Sequence, residues 1–218
     1  LEQINKVKGI ERIRLGSIEP KLITEEFVTR LSKLEKICHH FHLSLQSGCD
    51  ETLKRMNRRY TTEDFRAICK ILRAVYKDVI FTTDIIVGFP GETEEEFNQT
   101  YEFLKEIKMY KMHIFKYSPK RGTAATKFKN QIDSKIKDER SKILLELSDK
   151  NETEYNETYI NKTVTVLFEE AENGYFKGHT GNYLAVKVKT DKDLTDKLLK
   201  VKIDKLEKLE LVGTLVEE

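Results

Sequence analysis

The stretch Val79–Phe97, VIFTTDIIVGFPGETEEEF, decides the fold class. Val79–Val87 is rich in β-branched and aromatic residues and reads as a strand. Gly88-Phe89-Pro90-Gly91-Glu92 breaks it with turn chemistry. Thr93-Glu94-Glu95-Glu96 then fits the Ser/Thr-x-x-Glu capping box and opens a helix carrying Phe97, Tyr101 and Leu104 on one face. Strand, short turn and amphipathic helix together make one β/α unit.

The same alternation appears on both sides. Ile10–Gly16 reads as a strand, followed by an amphipathic helix over Thr24–Ile37 with Thr24 as N-cap. His39–Leu45 alternates with period two, so Phe41, Leu43 and Leu45 face one way and His40, His42 and Ser44 the other. A helix follows over Thr61–Tyr76, with Phe65, Ile68, Leu72 and Val75 at helical spacing. Met112–Tyr117 is the fourth strand, and a charged helix spans roughly Asp133–Thr153. Four alternating units imply a parallel sheet. A closed (β/α) barrel needs eight, so the expectation is an α/β partial or truncated barrel. The chain opens with Leu1 rather than Met, inside a polar segment, which reads as a piece of a longer protein.

After about Asn156 the pattern changes to short strands: Thr163–Glu170, Gly174–His179, Leu184–Lys189, Leu199–Ile203 and Leu209–Val216, with glycines between and within them. That reads as a small all-β barrel. The expected division is therefore residues 1–155 and 156–218.

Bulk properties exclude several classes. With 39% hydrophobic and 35% charged residues the composition suits a soluble globular protein. No apolar run reaches the roughly 20 residues of a membrane span, and no cleavable signal opens the chain; no membrane association is expected. The formal net charge of +2 does not by itself announce nucleic-acid binding. Cys38, Cys49 and Cys69 are spaced eleven and twenty residues apart, which matches neither a CxxC zinc pair nor a CxxxCxxC cluster motif. They read as free thiols of a cytoplasmic protein.

Ligands of parallel α/β sheets bind beyond the carboxyl ends of the strands. Those ends deliver Ser17 and Glu19, Gln46-Ser47-Gly48, Gly88–Glu92, and Ser118 with Arg121-Gly122-Thr123. The coincidence of small and polar residues at all four points marks a ligand rim. On the strand faces, an Arg14–Asp84 ion pair and direct substrate contact are both open. His40 and His42 share a face, but His39 points away and the spacing shows no further ligand. A polar barrel wall is therefore favoured over a metal site. The Gly88–Glu92 loop lacks the spacing of a phosphate cradle and reads either as a plain turn or as a close approach to a flat ligand.

Three stretches carry a family resemblance: Phe41–Thr61 (FHLSLQSGCDETLKRMNRRYT), Thr83–Phe97 (TDIIVGFPGETEEEF) and Ile114–Ala125 (IFKYSPKRGTAA). Together they resemble the radical S-adenosylmethionine (SAM) methylthiotransferases. The wording of the first is most similar to the subgroup acting on threonylcarbamoyladenosine beside the tRNA anticodon. Gly174–Tyr183 (GYFKGHTGNY) looks like part of a TRAM domain, an RNA-binding β barrel. The resemblance implies a C-terminal part of a radical SAM partial barrel followed by a TRAM barrel. It implies SAM and [4Fe-4S] clusters as cofactors, with the cluster ligands outside this chain, so that no catalytic residue or metal ligand lies within it and the chain alone is inert. It implies tRNA as partner and methylthiolation of adenine C2 as the reaction, and leaves the sulfur donor unnamed. Methylthiolation of isopentenyladenosine or of ribosomal protein S12, and a non-catalytic RNA-binding role, are the alternatives.

By position, the resemblance puts Ser17 and Glu19 on the SAM side of the rim and Gln46 and Ser47 at the ribose and methionine part. Arg58 is placed to pair with the SAM carboxylate. Asp84, Ile86 and Gly88 would pack on the adenine, with Tyr117 and Ser118 closing that side. Arg121, Lys162, Lys177, His179, Asn182 and Tyr183 are the RNA-binding candidates, cations and a hydrogen-bonding amide interleaved with an aromatic. Residues 156–218 hold ten lysines and twelve acids, a net of −2, so such a patch would have to be local.

Overall fold

The computed structural model describes residues 1–216, so Glu217 and Glu218 of the expected second domain lie outside the described residues. In chain order the elements are α1 (Glu2–Asn5), β1 (Ile13–Ile18), α2 (Glu25–Leu31), β2 (Ile37–Leu43), α3 (Asp50–Arg55), α4 (Thr62–Val75), β3 (Ile80–Val87), α5 (Glu94–Ile107), β4 (Lys111–Lys116) and α6 (Ser134–Glu157). Then come β5 (Thr163–Glu172), β6 (Tyr175–Thr180), β7 (Ala185–Lys189), β8 (Leu198–Glu207) and β9 (Glu210–Leu215).

The first four strands form a parallel sheet in the order β1-β2-β3-β4. Helices cover one face. Phe41, Leu43 and Leu45 point into that layer, packed with Phe65, Leu72, Phe103 and Leu104. The other face is polar and carries His40, His42, Thr82, Asp84 and His113. The parallel sheet is the one the alternation implied, and its two unlike faces are consistent with the wall of a partial barrel. Both expected caps are real: Thr24 accepts from Phe27 N, and Thr93 with Glu96 forms a reciprocal capping box, as does Thr61 with Asp64. Each such cap stabilises its helix by about 1 kcal/mol.

Three local expectations are corrected. The helix after β1 stops at Leu31, and Ile37 and Cys38 belong to β2 instead. A β-branched residue at the sheet's start is worth more in the strand, where Ile37 is 4% exposed, than in a fourth helical turn. β1 runs Ile13–Ile18, so Ser17 lies within the strand and not beyond it. The short helix α3 was not foreseen, because the polar run Asp50–Arg55 buries only Thr52 and Leu53.

Strands β5–β9 close into a barrel in the order β5-β6-β7-β9-β8, with β7 and β9 parallel and the other pairs antiparallel. All five expected strands are present. Gly178 and Gly213 are required by close packing: a Cβ on Gly178 would stand 2.0 Å from Leu167 O, and one on Gly213 2.4 Å from Lys202 O. The barrel core includes Val166, Phe168, Val201, Ile203 and Leu211, and it takes in Ile80 and Tyr110 from the parallel sheet. Those two stand at the start of β3 and just before β4. The barrel therefore docks on the amino ends of the parallel strands and leaves their carboxyl ends open.

Polar contacts fasten this junction. Arg12 donates to His179 O (2.7 Å) and Thr165 O (2.9 Å). Asn182, 4% exposed, donates to Tyr159 Oη (2.8 Å) and Asp78 O (3.1 Å), while its Oδ1 accepts from Thr180 (2.6 Å). Asn182→Ala leaves the buried Thr180 hydroxyl and the half-buried Tyr159 hydroxyl without this partner, and is expected to cost about 1–3 kcal/mol. Urea denaturation checks this; an unchanged midpoint would mean that the junction does not depend on these bonds.

Candidate functional site

The carboxyl ends of β2 and β3 are shaped by specific bonds. β2 pairs with β3 only from His40 to His42, then bows away and returns at Gln46, which bridges Ile85 with a left-handed φ of 71°. Thr83 holds the bow: its hydroxyl donates to Leu43 O (2.6 Å) and accepts from Leu45 N (3.1 Å). Tyr60 donates to Ser44 O and Leu45 O at 2.8 and 2.9 Å. Burial pushes the Tyr60 phenol up to about 12, so it stays a donor. Arg58 and Glu19 both act electrostatically on that phenol, which places these two rim candidates beside the end of β2.

The loop after β3 is clamped by Glu92. This side chain, 2% exposed, accepts from Gly88 N (2.7 Å) and from Arg140 of α6 (2.6 Å). Burial raises the Glu92 carboxyl, and the Gly88 N–H and the Arg140 guanidinium oppose that rise. Gly88 has φ +69°, and a Cβ there would stand 2.3 Å from Lys137 Cγ. Lys137 in turn donates to Tyr117 O (3.1 Å) and lies over the Tyr117 ring. Gly88→Ala is expected to cost about 1–2 kcal/mol through left-handed strain and to displace Lys137. Wild-type stability in a denaturation series would contradict the tightness of this corner.

Several rim candidates meet at these ends: Gln46, Ile86, Gly88 and Tyr117. Ile86 pairs in register with Phe115, which is 54% exposed, so an apolar pair stands open on the polar face. Tyr117 Oη is buried with no hydrogen-bond partner, and Ser118 is exposed beside it. Ser47 sits elsewhere: it is buried, and its hydroxyl is engaged with Thr100 and Cys49 N on the helix side.

A groove of about 460 Å³ lies between the polar face and the small barrel, lined among others by Ser17, His42, Thr82 and His113. Asp84 faces His42 (Oδ2 to Nε2, 3.2 Å). An Arg14–Asp84 pair does not form; Arg14 instead stacks over Tyr183 at 4.2 Å. His40 is buried, and desolvation, with Arg14, His42 and His179 nearby, pulls it down to about 4. It is neutral there, and its Nε2 meets the Thr82 hydroxyl at 3.1 Å.

The RNA-binding candidates are scattered. Asn182 and Tyr183 serve the junction, Tyr183 being stacked on His179 with ring centroids 4.2 Å apart. Lys177 is not a free cation: Glu172 (2.6 Å) and Glu210 (3.0 Å) hold it and raise its pKa. His179 meets Glu169, and Lys162 covers the Tyr159 ring. Arg121 alone of the six belongs to a different surface. Between residues 116 and 137 the chain carries Lys116, Lys120, Arg121, Lys127, Lys129, Lys135 and Lys137 against the single acid Asp133. Among the described residues, only Lys116 of these seven is in an ion pair, with Asp138. This loop follows β4 and so belongs to the open rim. Local counting of charge along the sequence would have found it.

The cysteines do not fit an iron–sulfur cluster. All three are free and buried. Cys38 shares the face of His40 and His42, whereas Cys69 lies in the helix-side core, where burial pushes its thiol up to about 12. Cluster ligation needs converging thiolates.

Residues 1–104 match the family model for the radical SAM superfamily. A Bacillus subtilis protein named threonylcarbamoyladenosine tRNA methylthiotransferase MtaB is 42% identical over 203 residues, 91% of this chain and 45% of that protein. The tRNA-2-methylthio-N(6)-dimethylallyladenosine synthase of Alkaliphilus oremlandii is 39% identical over 221 residues, 100% of this chain and 47% of that protein. The chain thus spans about half the length of the curated relatives it matches. Among solved structures, the radical SAM enzyme coproporphyrinogen III oxidase (HemN) from Escherichia coli superposes with a TM-score of 0.54 at 15% identity, covering 89% of this chain and 46% of that one. That likeness concerns the fold alone.

Proposed function

We propose that this chain is a radical SAM protein of the tRNA methylthiotransferase kind, and that it forms the SAM- and tRNA-facing wall of an enzyme that methylthiolates an adenosine beside the tRNA anticodon. The observation that carries this reading is the open rim. Gln46, Ile86, Gly88 and Tyr117 gather at the carboxyl ends of the parallel strands, and the unpaired cations of residues 116–137 lie on the same side.

The rim fits SAM as an organic ligand. Ile86 and Phe115 offer apolar surface to a flat base. The orphaned Tyr117 hydroxyl offers a hydrogen bond, and Gly88 lets the backbone come close. Arg58, exposed near the end of β2, is free to pair with a carboxylate. SAM supplies a transferable methyl group when bound. The chain's own part is to orient it: Thr83, Tyr60 and Glu92 fix the backbone on which these contacts stand. The chain's own cysteines do not fit a cluster.

Within the family, threonylcarbamoyladenosine is the substrate we favour over the isopentenyl nucleoside, from the wording of Phe41–Thr61. The five-strand barrel, read as TRAM-like, would contribute to RNA binding as a docking body rather than through Lys177. The substrate test uses anticodon stem-loops carrying either modification, incubated with the reconstituted enzyme made from the complete reading frame. Product on the threonylcarbamoyl stem-loop is expected; product only on the isopentenyl stem-loop would overturn the substrate assignment.

A further inference from the structure

We propose that His42, Asp84 and His113 form a mononuclear site for a first-row divalent cation, zinc being the best match. The three side chains come from three adjacent strands. In register Asp84 stands opposite His113, and His42 opposite Thr82, two residues before Asp84 on the same face. Their ligand atoms all lie within 4.8 Å of one another, and among the described residues no other group of three His, Cys, Asp or Glu side chains does this.

Three details separate this cluster from an ordinary polar contact. First, the His42–Asp84 contact is close but not aligned as a hydrogen bond. Nε2 and Oδ2 are 3.2 Å apart, yet His42 Nε2 is buried without a hydrogen-bond partner. Four tetrahedral bonds of about 2.0–2.1 Å put neighbouring ligand atoms about 3.3 Å apart, so this edge already has the right length. Second, the other ring nitrogen of His42 is held: Nδ1 meets Thr82 Oγ1 at 3.0 Å, and the same hydroxyl meets His40 Nε2 at 3.1 Å. A metal-binding imidazole commonly has its second nitrogen fixed in this way, which sets the tautomer and leaves the first nitrogen's lone pair free. With Nδ1 engaged by Thr82, Nε2 is the ring nitrogen of His42 that faces Asp84. Third, His113 is exposed on the edge strand β4, with its ligand nitrogen within 4.8 Å of those of His42 and Asp84.

Two imidazoles and one carboxylate suit Zn2+, and the set leaves a position open towards the groove. Ser17, paired in register with His42, borders that position. This reading gives Asp84 a role as a metal ligand, where the sequence had suggested an ion pair with Arg14 or contact with a nucleoside. Both partners of His42 come from other strands, so the spacing within its own strand shows no further ligand.

The test is titration of the metal-free chain with Zn2+ by calorimetry and with Co2+ by absorption spectroscopy. We expect one ion per chain and a cobalt spectrum of nitrogen and oxygen ligation without thiolate charge-transfer bands. Asp84→Asn and His113→Ala should each weaken binding at least about tenfold, and Thr82→Val, which removes only the outer contact, about tenfold or somewhat more. Binding that is absent in the wild-type chain, unchanged in His113→Ala and Asp84→Asn, or thiolate-ligated would overturn the proposal. His113 is exposed, so its replacement tests the site without threatening the fold.

Discussion

Glu92→Ala is expected to lower the stability of the chain by about 3–5 kcal/mol, the range for breaking one partner out of a buried ion pair. The reason is what remains behind. Arg140 is 8% exposed and would keep its charge without a counterion. Gly88 N would lose its 2.7 Å acceptor, and the Gly88–Glu92 turn would lose its tie to α6. A folded domain has only about 5–15 kcal/mol in hand, so this one change removes a large share. Glu92→Gln is expected to fall between, because the amide oxygen can still accept from Gly88 N while Arg140 stays uncompensated. Guanidinium denaturation of the three proteins measures the series. A loss below about 1 kcal/mol for the alanine variant would show that the clamp does not hold the rim.

The second large effect concerns RNA. Lys120, Arg121, Lys127 and Lys129 are exposed and, among the described residues, in no ion pair. If each neutralises one phosphate, the four together contribute a salt exponent of about 2.8, at about 0.7 per contact on single-stranded RNA, which is a factor of about 10²–10³ in affinity at 0.1 M salt. Changing all four to glutamate should therefore weaken tRNA binding by at least that factor and flatten the dependence of log K on log salt by about three units. Lys177→Glu should change little, since that lysine is already held between Glu172 and Glu210. Equal losses from both variants, measured by filter binding across a salt series, would contradict this division of labour.

Much of this architecture was legible from local pattern. The capping box at Thr93–Glu96 and the period-two run through Phe41, Leu43 and Leu45 are short-range signals, and both elements form where they point. The five barrel strands were legible too, because glycine and polar turns punctuate them. What local pattern misses is anything set by partners far along the chain. Ile37 reads as the tail of a helix until the sheet claims it. Lys177 reads as a free cation until Glu210, thirty-three residues on, closes beside it. His113 was invisible as a partner of His42 and Asp84, because strand register brings it there and no spacing within one strand records that.

The site shows the same division. The four strand ends are recognisable one by one as small and polar. The bow of β2 that sets Gln46 against Ile85, and the turning of Ser47 towards Thr100, depend on Thr83, Tyr60 and α5 and appear only in three dimensions.

The role proposed for this chain, the SAM- and tRNA-facing wall of a tRNA methylthiotransferase, is tested most directly by mass spectrometry of tRNA nucleosides from a host that lacks its own methylthiotransferases and expresses the complete reading frame containing this chain. The expected product is a 2-methylthio derivative of threonylcarbamoyladenosine, lost when Gly88 and Tyr117 at the rim are replaced together. Well-expressed, folded protein that leaves every tRNA adenosine without a methylthio group would contradict it.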